Sequence, residues 1–191
     1  MRTYIIVCGP RGAGKGTAVS AIMEAFPEAE RIVSMTTRER RTNEVDGVNY
    51  YFVDKERYQW LSMIGYFCWS FGIGQYHYAL EKRELRRVRG IGVTDVYPTG
   101  ARWVRSRLEE EGDKALLIGV FAPRELRWKR IRGRQRDLSE ADVTRMIEED
   151  PVSADRSLYG DFDLLVESST EDARLTYQPV VDAVRQFVRG E

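Results

Sequence analysis

The sequence contains few of the residues that build metal clusters or disulfide frameworks. It has one histidine, His77, and two cysteines, Cys8 and Cys68, in 191 residues. A single histidine excludes a His-based metal cluster and argues against a Ser-His-Asp triad. Two cysteines form neither a disulfide framework nor a CxxC metal knuckle, so we expect both thiols to be reduced in a cytoplasm.

Long apolar runs and an excess of charge of one sign are also missing. No stretch of about 18 apolar residues occurs, so we expect no membrane span. The apolar run at residues 4–8 is too short for a signal peptide. Thirty basic residues balance thirty acidic ones, which argues against a nucleic-acid binder and against an acidic tail protein. We therefore expect neither a membrane nor a nucleic acid as partner.

Lysine is scarce whereas arginine is abundant, with 5 and 25 residues respectively. The planar guanidinium of arginine donates paired hydrogen bonds to phosphate and carboxylate groups, which the lysine ammonium does not do. The excess of arginine is therefore compatible with a phosphate-binding protein. Codon usage of the genome explains the same excess, and composition alone does not decide between the two interpretations.

The length and the hydrophobic content of 42% suit one compact domain with its own core. Strand patterns alternate with helix patterns, which predicts an α/β fold with a parallel sheet. The predicted strands are 4–8, 31–35, 91–94, 115–121 and 164–166, and the predicted helices are 15–26, 99–110, 123–131 and 171–188. Residues 36–90 are rich in aromatic residues and predict an inserted lobe of short strands with helices near 54–64 and 80–89. Ser139 is expected to cap a further helix, after an Arg-rich loop at 132–138.

A glycine-rich loop at residues 9–17, GPRGAGKGT, follows the first strand and opens the first helix. This is the context of a phosphate-binding P-loop. The glycines let backbone N–H groups surround phosphate oxygens, and the helix N-terminus adds its dipole. The alternative interpretation is that the glycine-rich turn has only a structural role and that the lysine occurs in it by chance. We predict an ATP site that consists of Gly9, Arg11, Gly12, Ala13, Gly14, Lys15, Gly16 and Thr17.

The residue after the P-loop lysine departs from the common pattern, which has Ser or Thr there as a ligand of Mg²⁺. Here Gly16 follows Lys15, and Thr17 comes next, a form that resembles the loop of adenylate kinases. We predict Thr17 as the metal-binding residue of the protein, with Mg²⁺ held mostly by phosphates and water.

A second set of phosphate-binding side chains lies in residues 36–53, TTRERRTNEVDGVNYYFV. The guanidinium groups of Arg38 and Arg41 and the phenol of Tyr50 can converge on one dianionic phosphate. Glu44 can hold an arginine in place. A solvated basic loop is the alternative interpretation of this stretch alone.

Residues 36–53 and the P-loop before them closely resemble the signature of guanylate kinases. The resemblance implies a P-loop NTPase three-layer fold with a parallel sheet, an inserted NMP-binding lobe and an Arg-rich lid. It also implies ATP-dependent phosphoryl transfer to a small nucleotide acceptor in the cytoplasm, with ATP and Mg²⁺. In that family two arginines and a tyrosine hold the phosphate of GMP, which assigns this role to Arg38, Arg41 and Tyr50 and a purine contact to Ser34. The implied single domain has its core at 1–35 and 91–191, its lobe at about 36–90 and its lid at about 132–140.

The resemblance extends into the second half of the chain. Asp95 matches the first aspartate of the D-I-D-x-Q-G motif of the family, and Tyr97 stands where the second would be. Arg130, Arg134 and Arg145 fall at the family's lid spacing, which implies that they close over the ATP phosphates; a solvated helix face is the alternative. The implied catalytic residues are Lys15, Arg38, Asp95, Arg134 and Arg145.

The sequence departs from the family in the inserted lobe. Guanylate kinases have a glutamate there that pairs with guanine, whereas no acidic residue occurs between Glu56 and Glu81 in this chain. Trp69 of the corresponding stretch can stack on a base or pack in the core. The second phosphate-binding tyrosine of the family falls on Tyr76 or Tyr78, with Tyr78 favoured, and His77 is expected at the surface.

Three functions fit the sequence. The first is a nucleoside monophosphate kinase for a GMP- or dGMP-like acceptor, whose base the absent glutamate leaves undefined. The second is a kinase of a phosphorylated sugar such as ribose 1,5-bisphosphate. The third is a non-catalytic guanylate-kinase-like binding module, against which the intact Lys15 loop argues. The sequence does not define the sugar, the oligomeric state or the pathway.

Overall fold

Two β-sheets organise the protein in a computed structural model that describes residues 1–135, 137–150, 156–169 and 173–190. The strands are β1 (Thr3–Cys8), β2 (Glu30–Arg31), β3 (Met35–Thr36), β4 (Tyr51–Phe52), β5 (Phe67–Ile73), β6 (Tyr76–Glu81), β7 (Ile91–Asp95), β8 (Lys114–Phe121) and β9 (Leu164–Glu167). The helices are α1 (Lys15–Ala25), α2 (Lys55–Met63), α3 (Lys82–Arg87), α4 (Pro98–Glu110), α5 (Arg124–Arg134), α6 (Glu140–Glu148) and α7 (Ala173–Arg189). A short 3₁₀ helix spans Arg156–Tyr159.

The first sheet has the order β2-β7-β1-β8-β9, and its strands are all parallel. Strand β1 is apolar on both faces, which suits a central strand of a parallel sheet. Ile5 and Val7 pack with residues of α1 and α7, whereas Tyr4 and Ile6 pack with residues of α4. Helices therefore cover both faces, and the predicted three-layer α/β fold is confirmed.

The second sheet has the order β4-β3-β6-β5 and includes the antiparallel hairpin of β5 and β6. Its small core consists of Met35, Tyr58, Leu61 and Ala79. Asp54 caps α2 by accepting a hydrogen bond from the Arg57 N–H at 2.7 Å. This sheet lies in the segment for which the sequence predicts an inserted lobe.

Two boundaries predicted from the sequence are wrong. The single strand predicted at 31–35 is two strands in different sheets, because the chain leaves the first sheet after Arg31 and enters the second at Met35. Between them, Ile32 donates its N–H to the Val93 carbonyl at 2.8 Å. Helix α5 also continues to Arg134, beyond the predicted end at Ile131, because arginine is a good helix former. Within the predicted loop and final helix, Arg136 and residues 171–172 lie outside the described residues.

The helix after the Arg-rich segment begins as predicted. Ser139 accepts a hydrogen bond from the Asp142 N–H at 3.1 Å, and the Asp142 side chain accepts one from the Ser139 N–H at 3.3 Å. This reciprocal capping box fixes the start of α6. Among the residues that the structure describes, no helix is both long and apolar enough to cross a membrane.

Candidate active site

The glycine-rich loop connects the end of β1 to the start of α1. Gly12 and Gly14 have φ values of 77° and 106°, in the left-handed region that favours glycine. A Cβ atom on Gly14 would lie 2.1 Å from the Tyr177 hydroxyl of α7. That hydroxyl donates a hydrogen bond to the Gly14 carbonyl at 3.1 Å. Close packing and backbone conformation together require glycine at position 14.

Lys15 is the first residue of α1, and its ammonium group turns back into the loop. Nζ donates hydrogen bonds to the carbonyls of Gly9 at 2.7 Å and Pro10 at 3.2 Å. Burial lowers the pKa of Lys15, and the carboxylates of Asp95 and Asp150 act in the opposite direction. The loop therefore holds a desolvated cation at a helix N-terminus, which is the arrangement that a polyphosphate requires.

Arginines of α5 brace the loop from one side. Arg127 Nε donates to the Arg11 carbonyl at 2.7 Å, and Asp150 accepts from the Arg11 N–H at 2.6 Å. Arg127 and Asp150 are themselves an ion pair at 3.6 Å with almost no exposed side-chain surface. Arg130 donates to the carbonyls of Gly12 and Ala13 at 3.3 and 3.2 Å. The loop backbone is thus fixed by side chains that are far away in sequence.

The three lid arginines of the sequence analysis lie in different environments. Arg130 contacts the P-loop, and Arg134 follows one turn later on the same helix face. Arg134 is exposed, and its charge acts on Tyr177, the residue that packs on Gly14. Arg145 is exposed on α6 and pairs with Asp142 at 2.5 Å. The predicted contacts of Arg134 and Arg145 with ATP phosphates stay predictions.

One carboxylate, that of Glu44, accepts several hydrogen bonds that organise the loop before β4. Glu44 accepts two hydrogen bonds from the Arg38 guanidinium, at 2.9 and 2.8 Å, and one from the Arg41 N–H at 2.9 Å. Burial acts to raise the pKa of Glu44, but these hydrogen bonds and the two arginine charges outweigh it and lower the pKa. Glu44 therefore stays ionised and holds Arg38 in place, as the sequence predicted for it.

The guanidinium of Arg41 is only partly satisfied by protein groups. Its Nε is buried and has no hydrogen-bond partner among the described residues. Burial and the neighbouring charge of Arg38 lower the pKa of Arg41. A buried donor without an acceptor is costly, and a phosphate oxygen would satisfy it. This atom points to an anion as the ligand of the loop.

Tyrosines line the space beside the two arginines. The Arg38 guanidinium lies 5.5 Å from the Tyr50 ring centre, and the Tyr50 and Tyr78 ring centres are 6.0 Å apart. Tyr78 pairs with Thr36 in the lobe sheet, whereas Tyr76 pairs with Ile73 beside the hairpin turn. Of the two candidate tyrosines, Tyr78 is therefore the one whose ring contacts Tyr50. His77 is exposed between them, in agreement with the prediction.

Asp95 is the last residue of β7 and pairs with Val7 near the end of β1. It forms an ion pair with Arg31, a residue that the sequence analysis did not select. Burial acts to raise the pKa of Asp95, but Arg31 and Lys15 outweigh it, so the pKa is lowered and the group stays charged. Burial raises the pKa of Tyr50, and the charge of Asp95 adds to that effect. Lys15 and Tyr50 therefore both interact electrostatically with Asp95.

The remaining predicted site residues, Ser34, Trp69 and Thr17, differ in their burial and contacts. Ser34 is buried immediately before β3. Trp69 stacks on Phe71 with 6.1 Å between ring centres, and a Cβ on Gly100 would lie 2.4 Å from the Trp69 indole, so this ring packs tightly on α4. Thr17 is half-buried in the first turn of α1. In the part of the chain that the structure describes, no group of three or more His, Cys, Asp or Glu side chains could hold a metal ion.

A parallel α/β core, a glycine loop around a lysine and a facing loop of arginines and tyrosines define a P-loop, nucleotide-binding transferase of the kinase class. The sequence model of one such family, described as guanylate kinase, matches residues 1–183. The chain belongs to the guanylate kinase family.

Curated relatives agree with this assignment, and a solved structure has a similar fold. The chain is similar to a guanylate kinase of Trichormus variabilis, with 35% identity over 147 residues, covering 74% of this chain and 71% of the relative. A guanylate kinase of Alkalilimnicola ehrlichii is 32% identical over 176 residues, covering 91% and 84%. The fold is similar to a crystal structure of guanylate kinase from Anaplasma phagocytophilum, with a TM-score of 0.67, 18% identity, and coverage of 97% and 86%.

Proposed function

We propose that the protein transfers the γ-phosphoryl group of ATP to the phosphate of a nucleoside monophosphate, with GMP or dGMP as the acceptor. The observation that carries this proposal is a pair of loops with buried cationic groups, one of which contains Lys15 and the other Tyr50, two residues that both interact electrostatically with Asp95. Lys15 lies in one loop, and the unpartnered Nε of Arg41 lies in the other. The names of the curated relatives support GMP as the acceptor.

The P-loop is the proposed donor site. Its left-handed glycines and the N-terminus of α1 fit the oxygens of a triphosphate. The Lys15 ammonium now donates to two loop carbonyls, and phosphate oxygens would replace these weaker acceptors. We propose that the P-loop residues 9–17 together with Arg130 and Arg134 bind ATP.

The loop of Arg38, Arg41 and Tyr50 is the proposed acceptor site, with Tyr78 as the second tyrosine. Glu44 holds Arg38 in a fixed orientation, so its guanidinium is pre-organised for the acceptor phosphate. The raised pKa of Tyr50 keeps its phenol protonated and able to donate a hydrogen bond to that phosphate. Ser34, Trp69 and Asp95 complete the proposed acceptor surroundings.

Transfer between two phosphates requires that their mutual repulsion be neutralised. An acceptor-phosphate oxygen forms a bond to the γ-phosphorus, and the bond to the β–γ bridging oxygen breaks, with ADP leaving. The protein contributes orientation and positive charge, from Lys15 and Arg38 and from Arg134 and Arg145 of the proposed lid. Asp95 stays ionised and orients the groups between the two loops.

The residues present fit a magnesium ion only in part. Mg²⁺ bound with ATP would neutralise charge on the phosphate oxygens. The Thr17 hydroxyl is the proposed protein ligand, and in the described ranges no group of three or more carboxylate, histidine or cysteine side chains could hold a metal ion. Phosphates and water would therefore supply most of the ligands.

The proposal is tested by measuring transfer from Mg·ATP to GMP, dGMP, AMP, CMP, UMP, dTMP and ribose 1,5-bisphosphate. Formation of GDP or dGDP at the highest kcat/KM is the expected result. A preference for the bisphosphate would instead identify a sugar-phosphate kinase. Binding of ATP without transfer to any of these acceptors would contradict the proposal and favour a binding module.

A further inference from the structure

The carboxylate of Glu84, on helix α3, is buried and accepts hydrogen bonds from groups in three parts of the chain. Its Oε2 accepts from the Val33 N–H at 3.0 Å and from the Arg87 guanidinium at 3.1 and 3.0 Å. Its Oε1 accepts from the Tyr51 hydroxyl at 3.2 Å. Burial acts to raise the pKa of Glu84, but these hydrogen bonds outweigh it and lower the pKa, so the group stays ionised. A charged, buried carboxylate with several donors fixes the positions of those donors relative to one another.

Helix α3 is itself fixed on the first sheet. The Leu85 carbonyl accepts a hydrogen bond from the Tyr4 hydroxyl of β1 at 2.8 Å, and Leu85 and Tyr4 belong to the same hydrophobic cluster. Arg87 donates a hydrogen bond to the Arg31 carbonyl of β2. The helix that carries Glu84 is therefore packed on the core, although it directly follows β6 of the second sheet.

Two of the donors to Glu84 lie next to residues of the proposed acceptor site. Val33 directly precedes Ser34, in the connection by which the chain passes from the first sheet to the second. Tyr51 directly follows Tyr50, whose phenol is proposed to bind the acceptor phosphate. The Tyr51 N–H also donates to the Ser34 carbonyl at 2.9 Å, so the two segments are joined to each other. Glu84 thus links a helix packed on the core to two segments that carry acceptor-binding side chains.

We propose that Glu84 is a positioning residue for the acceptor, which holds Ser34 and Tyr50 at fixed positions relative to the first sheet. It acts through Val33 and Tyr51 and contacts no substrate itself. An acceptor site whose walls are already fixed binds its ligand more tightly than one whose walls must be ordered on binding. This inference rests on the proposed function, because the residues that Glu84 positions belong to the proposed acceptor site.

The test compares Glu84→Gln and Tyr51→Phe with the wild type. Glutamine has one acceptor oxygen in place of two, so at least one of the donors loses its partner. Tyr51→Phe removes one donor and keeps the ring, which lies 5.6 Å from the Arg83 guanidinium. Titration calorimetry measures the Kd for GMP and the Kd for Mg·ATP separately. We expect the Kd for GMP to rise by about tenfold or more in Glu84→Gln and by about threefold to tenfold in Tyr51→Phe, with the Kd for Mg·ATP within about twofold of the wild type.

Glu30→Gln is the matched control. Glu30 lies in β2, where it pairs with Arg87 at 3.5 Å and accepts a hydrogen bond from the Arg89 N–H at 2.7 Å. The substitution removes a charge from the same arginine on the side of the core, so it should leave the Kd for GMP within about twofold of the wild type. In the double variant of Glu84→Gln and Tyr51→Phe, the rise in the Kd for GMP should be smaller than the product of the two single rises, because both remove the same hydrogen bond.

The outcomes distinguish this inference from the proposed function. Wild-type protein that binds GMP without transferring phosphate contradicts the proposed function alone, and the Kd values of the variants still decide the inference. Wild-type protein that does not bind GMP contradicts both. An unchanged Kd for GMP in both variants contradicts the inference, as does an equal rise in the Kd values for GMP and Mg·ATP, which indicates a general loss of structure. Thermal melts check folding, and if Glu84→Gln is unfolded, Tyr51→Phe decides the question.

Discussion

The Tyr177 hydroxyl donates a hydrogen bond to the Gly14 carbonyl at 3.1 Å, although 163 residues separate them in the sequence. The same hydroxyl would lie 2.1 Å from a Cβ atom at position 14. Helix α7 therefore packs directly against the P-loop. A change at either residue is expected to alter nucleotide binding and global stability together.

Gly14→Ala tests this contact. The substitution places a Cβ against Tyr177 and forces alanine to a φ of 106°, so we expect a loss of about 2 kcal/mol or more in unfolding free energy. ATP binding should also weaken strongly. Gly133→Ala in α5 is the matched control, because its Cβ would meet nothing within 4 Å, and it should stabilise the protein by about 0.5–1 kcal/mol. Urea unfolding measures both, and equal effects of the two variants would contradict the argument.

Lys15→Ala tests the donor site. Loss of the ammonium removes the cation that the P-loop holds against its own carbonyls, and we expect kcat to fall by a factor of about 100 or more. The fold should be retained, since the hydrophobic core does not depend on this side chain. Circular dichroism and a melting curve check the fold, and wild-type turnover in this variant would exclude the role proposed for Lys15.

Glu44→Gln tests the acceptor site. The amide cannot hold Arg38 by two charge-assisted hydrogen bonds, so Arg38 should lose its fixed orientation. We expect KM for the acceptor to rise by about tenfold to 100-fold, with KM for ATP within about twofold of the wild type. Glu109→Gln, which changes a carboxylate paired with Arg105 on the exposed side of α4, is the control. A parallel rise in both KM values would mean that Glu44 acts on the whole fold.

We expect the selectivity for the base of the acceptor to depend on whether the carboxylates near the acceptor site are already paired with arginines. Glu44 is paired with Arg38, Asp95 is paired with Arg31, and no acidic residue occurs between Glu56 and Glu81. Because Glu44 and Asp95 are already paired with arginines, we expect kcat/KM for GMP to exceed that for AMP by only about 10–100-fold. Steady-state rates with both nucleotides measure this ratio. A ratio above about 10⁴ would require a buried polar group that reads guanine.

The ion pair of Arg2 and Asp113 predicts a pH dependence of stability. Asp113 accepts three hydrogen bonds from Arg2, at 2.7, 2.9 and 2.5 Å. Burial acts to raise the pKa of Asp113, but the Arg2 hydrogen bonds and charge outweigh it, so the pKa is lowered. A lowered pKa means that this stabilisation is complete above about pH 4 and is lost as the pH falls through the folded-state value.

Asp113→Asn should therefore lower the unfolding free energy by about 2 kcal/mol at pH 7. The difference in unfolding free energy between Asp113→Asn and the wild type should become smaller as the pH falls below about 4, where the wild-type carboxyl becomes protonated. Urea titrations between pH 7 and pH 3 measure the difference. A gap that stays constant over this range would show that the charge of Asp113 is not the cause.

The residues proposed for the two phosphate sites could be selected from the sequence where they lie within one short segment. The P-loop and the set of Arg38, Arg41, Glu44 and Tyr50 follow local spacing, so their residue types could be assigned before any contact was known. The hydrogen bond from the Arg11 N–H to Asp150 joins residues 139 positions apart, and no local sequence motif predicts it. The strand predicted at 31–35 fails for a related reason, because an apolar run does not reveal that the chain changes sheets within it.

The topology of the first sheet also determines the order in which the protein can fold. Strand β1 ends at residue 8, whereas its two partners begin at residues 91 and 114. The hairpin of β5 and β6 needs only local contacts and can form early, but β1 needs closure of two long loops. During synthesis from the N-terminus, this apolar strand stays unpaired until β7 and β8 have left the ribosome. We therefore expect the yield of folded protein to depend on chaperones that shield nascent apolar segments.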